Sequence, residues 1–147
     1  MYRVVEYIIF PMIAVIITFI VKSFLAPRRI DKKEVITELG YDVMIMCFFG
    51  LMLDSIGSYS HHQDAGSIVT YSITGFIGAI LSLSGLFMVL FMDILVFGKE
   101  NDADVKLDKR YKCLLRWGIS YVVVLVSFVM YGTYIEDTIV ILQNVKK

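Results

Sequence analysis

The sequence predicts an all-α membrane protein: one domain, a bundle of four transmembrane helices, assembling with other copies of itself. Three observations carry this. The 147 residues are 58% hydrophobic and 19% charged, too apolar for an ordinary soluble domain. Four apolar spans can be drawn, at about 4–25, 39–57, 68–97 and 114–135. The basic residues fall on alternate connections between those spans, as membrane topology requires.

The first span, Val4–Leu25, is N-terminal but too long for the apolar core of a signal peptide. Pro27 and Arg28 stand where a cleavage site would need small residues. It is therefore read as a true span, with Pro11 removing one backbone donor in its first third. The second span is the weakest. Only Val43–Leu53 is continuously apolar, between Asp42 and Asp54, so a helix here needs a shielded position within a bundle or an oligomer.

The third span lies in the stretch Ser67–Phe97, with Asp93 its only charge. As a helix it would be about 45 Å long, longer than the roughly 30 Å hydrocarbon core, so it tilts or protrudes. Thr70, Thr74, Gly78 and Ser82 recur at i+4 and are flanked by Gly75 and Gly85, among other small residues. Such a ribbon is a helix-packing face or the lining of a wet path through an oligomer. After the fourth span comes EDTIVILQNVKK, which extends the helix beyond the membrane, forms a strand-like tail or docks on another copy.

Charge placement gives the topology. The first connection holds Lys22, Arg28, Arg29, Lys32 and Lys33, and the third holds Lys99, Lys106, Lys109, Arg110, Lys112 and Arg116. Arg3, Lys146 and Lys147 complete the 14 basic residues. Connections 26–38 and 98–113 are thus expected in the cytoplasm, with loop 58–67 and both termini outside it. An inner or plasma membrane is the expected location. Tyr2, Tyr59, Tyr131 and Tyr134 would mark the outer boundary, and Tyr41, Tyr111 and Trp117 the inner one.

Three acids lie at or near membrane depth. Asp42 and Asp93 are expected near the cytoplasmic face, as ion pairs with Lys22, Arg116 or other loop cations, or as charge-selective groups at a pore mouth. Asp54, near the outer face, has no cation in its own loop and is likewise a charge-selective candidate, biasing a path toward cations together with Asp93. Arg28, Arg29, Lys32 and Lys33 are candidates for contact with anionic lipid headgroups or a regulatory anion.

Zero formal net charge gives no bulk attraction for nucleic acid. Cys47 and Cys113 form no pair or ligand cluster, and His61, His62 and Asp64 have poor metal spacing, so no metal or cofactor is expected. No catalytic motif is present, and enzyme activity is not expected. Small multidrug-type proton antiporters share this size and span count but carry an acid buried in the first span. Residues 7–21 here hold no charge, so no family is indicated. The functional expectation is a cation-biased homo-oligomeric channel or pore, such as a membrane-depolarising effector. The alternative is a non-catalytic accessory or assembly subunit bound to other membrane proteins.

Overall fold

The computed structural model describes residues 2–25, 32–64, 66–99 and 102–145, and every regular element among them is helical. The first helix, α1, has three continuous pieces: Tyr2–Val4, a π-helical turn Val5–Ile9, and Phe10–Leu25. Helix α2 is Lys32–His61, α3 is Gly66–Leu95, and α4 is Ala103–Val145, with a short 3₁₀ turn at Phe97–Lys99. All four are long and apolar enough to cross a membrane. Of the cationic cluster expected at the first connection, Arg28 and Arg29 lie outside the described residues.

The π-helical turn has a local cause. Pro11 offers no N–H and its ring would strike the carbonyl four residues back, so the preceding turn widens. The Phe10 N–H donates to the Val5 carbonyl, one residue beyond α-helical register. Each inserted residue rotates what lies before it by about 100°. The widened turn thereby sets the direction in which Arg3 projects.

Helix α2 occupies the centre and packs against α1, α3 and α4. The reason is its sequence: it carries Asp42, Asp54, Ser55 and Ser58, which hydrocarbon does not tolerate uncovered. Asp54 and Ser55 are fully buried, as are Met44 and Cys47. Met44 and Cys47 join Ala79, Leu86 and Val89 of α3 and Leu114, Leu125 and Val129 of α4 in one hydrophobic core.

Helix α1 is peripheral, with no buried residue between Val5 and Lys22. The outer surface of the bundle is apolar all round, with Phe10, Phe24, Ile80, Phe91, Ile94 and Val123 each more than half exposed. An apolar surface this continuous has no counterpart on a soluble monomer.

Glycines set the closest helix approaches. Every described glycine has ordinary negative φ, so the lack of a side chain is what these positions use. A Cβ at Gly40 would lie 3.1 Å from Leu114 Cβ, and one at Gly118 would lie 4.0 Å from Gly40 Cα. Further along, a Cβ at Gly50 would meet Leu125 at 3.0 Å. Positions on α2 and α4 thus advance together, and the two helices run parallel. EDTIVILQNV, the described part of the C-terminal segment, continues α4 as helix to Val145.

Candidate functional site

The end of the bundle that gathers the N-terminus, the α2–α3 loop and the last turns of α4 holds a buried charge network centred on Asp54. From α1, Arg3 donates to Asp54 Oδ1 through Nε at 3.0 Å and Nη2 at 2.6 Å. Its Nη2 also donates to Ser58 Oγ at 2.5 Å. From α3, the Tyr71 hydroxyl donates to the other Asp54 oxygen. From α4, Glu136 Oε2 lies 3.2 Å from Arg3 Nη1, and Glu136 Oε1 is 3.0 Å from His62 Nε2. All four helices therefore converge on one carboxylate and one guanidinium.

The aromatic support is equally local. The Arg3 guanidinium carbon sits 5.1 Å from the Tyr71 ring centroid, within cation–π range. The opposite neighbour, Phe128, stacks on Tyr71 at 4.3 Å. Gly132 makes room for this, because a Cβ there would come within 2.5 Å of the Tyr71 hydroxyl and 2.9 Å of Arg3 Nη2. Burial works against the Arg3 charge, but Asp54, then Tyr71 and Glu136, outweigh it and hold the guanidinium above its ordinary value.

Beside this network opens a polar cleft of about 360 Å³ lined by Arg3, Glu6, Asp54, Ser58, His61, His62 and Glu136. Three acids face one arginine, so the cleft is acidic when the histidines are neutral. Within it Ser58 Oγ accepts from Arg3 Nη2, so the serine is part of the charge network. Among the described residues no three His, Cys, Asp or Glu side chains converge as metal ligands.

At the opposite end the acids are also paired. Asp42 Oδ2 accepts from Lys22 Nζ at 2.9 Å, with Glu38 at 3.5 Å. Asp93 binds Arg110 in a fork, with Nη2 to Oδ2 at 2.7 Å and a second bond from Nε. Lys22 and Asp42 are each over a third exposed. Lys22→Ala is therefore expected to change stability by less than about 1 kcal/mol in detergent unfolding.

The i+4 ribbon of α3 divides. Thr70 and Thr74 are exposed and return their hydroxyls to the carbonyls of Gly66 and Thr70, both at 2.9 Å. Gly78 has open space where a Cβ would stand. By contrast Gly75 is buried against Ser55 and Phe128, Gly85 lies under the Tyr121 hydroxyl, and the Ser82 carbonyl accepts from Tyr121 at 2.5 Å. The geometry of the helix explains this. Four residues turn about 400°, so a strict i+4 row winds by roughly 40° per step. From the exposed Thr70 and Thr74 it passes to the half-buried Gly78 and Ser82.

Lys33 is placed 3.2 Å from Asp108 Oδ1. Asp54 stood out in the sequence, but Arg3, Tyr71, Ser58 and Glu136 did not. The signal that points to Arg3 is elimination: it is the one basic residue at that end outside the last two positions, and Asp54 is the acid without a cation in its own loop. No protein-family model, curated protein or solved structure matches this chain.

Proposed function

We propose that the protein is an integral membrane protein that assembles with itself through the outward face of α3 and conducts cations along the interface between copies. The observation that carries this is the row Thr70, Thr74 and Gly78, small and hydroxyl-bearing, which is left outside the bundle. In lipid such a face suits close approach by another helix. Met44, Cys47, Leu51 and Leu125 are buried at the centre of the bundle, which supports a path between protomers, where the Thr70 and Thr74 hydroxyls would border it. The acidic cleft beside Arg3 and Asp54 supports a bias for cations at one mouth. The charge pattern of the connections orients both termini and the cleft away from the cytoplasm.

One observation favours a second reading, a non-conducting accessory subunit. Asp42, Asp54 and Asp93 are each engaged by a cation of the same chain, which leaves none free to act on a permeant ion. The experiment that separates the readings is the size of the detergent-solubilised complex together with cation flux in liposomes. Gly78→Leu adds a side chain where the protomer has open space, so folding is kept while assembly and flux both fall. Wild-type protein that is monomeric and silent in flux selects the accessory reading.

A further inference from the structure

A second polar concavity, about 410 Å³ in volume, shares two residues with the cleft beside Arg3. These are His61 and His62, the last residue of α2 and the first after it, which line both spaces. Ser67 of α3 lines the second space and is exposed. Thr70 and Thr74 follow it at steps of three and four residues, so the three share one helix face. The concavity that carries the histidines therefore stands at the head of the hydroxyl row left outside the bundle.

Titratable groups reach these spaces from every element. Helix α1 supplies Arg3, Glu6 and the Tyr7 phenol, and α2 supplies Asp54. The turn after α2 adds Asp64, α4 adds Glu136, and α3 places the Tyr71 hydroxyl on Asp54. Among the described residues lining the two spaces, four carboxylates face one permanent cation, Arg3. Imidazole is the side chain whose ordinary charge change falls between about pH 5 and 8. Carboxyls ordinarily ionise near about pH 4 and phenols near about pH 10. His62 Nε2 stands 3.0 Å from Glu136 Oε1, and its side chain is 34% exposed. A proton on this ring meets a carboxylate at contact distance and arrives directly from solvent.

We propose that His61 and His62 form an acid-sensitive electrostatic gate at the outer mouth of the cation path. Neutral imidazoles leave the mouth acidic, which concentrates cations there. Protonated imidazoles set three cations against the four carboxylates, which removes most of that attraction. The gate regulates the channel proposed above and rests on that reading. It is sided: the charge pattern of the connections puts both histidines away from the cytoplasm, so acid acts from that side alone.

The test is potassium current through the full chain in planar bilayers, with each side set separately to about pH 8 or about pH 5.5. The expected result is a roughly tenfold fall on acidifying one side and no change on acidifying the other. The fall shrinks in about 1 M salt, where screening acts within about 3 Å. His61→Gln with His62→Gln fixes both positions neutral, and His61→Lys with His62→Lys fixes both charged. Each double variant is expected to lose the response to pH, and the lysine form to carry roughly tenfold less current than the glutamine form. Wild-type current that ignores pH, or that responds equally from both sides, overturns the gate and leaves the channel reading standing. So does a response to acid that survives in the glutamine variant, or equal currents in the two double variants. No current at any pH overturns the channel reading, and the gate with it.

Discussion

Asp54→Ala is expected to destabilise the bundle by about 3–5 kcal/mol in reversible unfolding from mixed micelles, the range for leaving a buried charge without its partner. Arg3 would keep Glu136 at 3.2 Å but lose both bonds to the carboxylate, and the Tyr71 hydroxyl would lose its acceptor. Arg3→Ala is expected to cost a similar amount, because Asp54 is fully buried. The two effects are strongly non-additive: removing both charges together, as Arg3→Met with Asp54→Leu, is expected to cost far less than the sum. Additive losses would mean that the two residues do not form one unit.

The second large effect concerns Gly75. A Cβ at this position would stand 1.9 Å from Ser55 Oγ and 2.7 Å from the Phe128 ring. Both neighbours sit between helices, so Gly75→Ala is expected to cost about 1–3 kcal/mol through overpacking. Adding Ser55→Ala returns part of the loss and leaves the Phe128 contact. Three residues on, Gly78→Ala is expected to have the opposite sign and stabilise the protomer by up to about 1 kcal/mol, since alanine is the better helix former and no atom of the same chain stands in its way. Thermal melting of the two alanine variants in detergent reads the contrast directly. Equal effects would mean that the two faces of α3 are not distinguished.

The four-helix architecture was legible because the lipid-compatible spans are long and the basic residues alternate by connection. The central place of α2 was legible in part: Asp42 and Asp54 bracket a short apolar run, and a helix of that kind needs cover. The direction of the α3 ribbon was not. Thr70 and Gly75, grouped in one ribbon by the sequence, stand five residues apart and so about 140° apart around the helix, on different faces. The Arg3–Asp54 pair was hidden by a separation of 51 residues, and its geometry depends on the widened turn before Pro11, which hydropathy does not encode. Gly132 shows the same limit. Nothing in its neighbourhood in the sequence indicates that a tyrosine and an arginine share the space above it.

Membrane assembly through the outward face of α3 is tested most directly by the environment of position 74. A spin label on Thr74→Cys, with Cys47→Ala and Cys113→Ala to remove native thiols, reports its collisions with dissolved oxygen in reconstituted bilayers. The expected result is low accessibility to oxygen together with strong spin–spin broadening between copies. High oxygen accessibility with no broadening would place Thr74 against acyl chains and contradict the assembly.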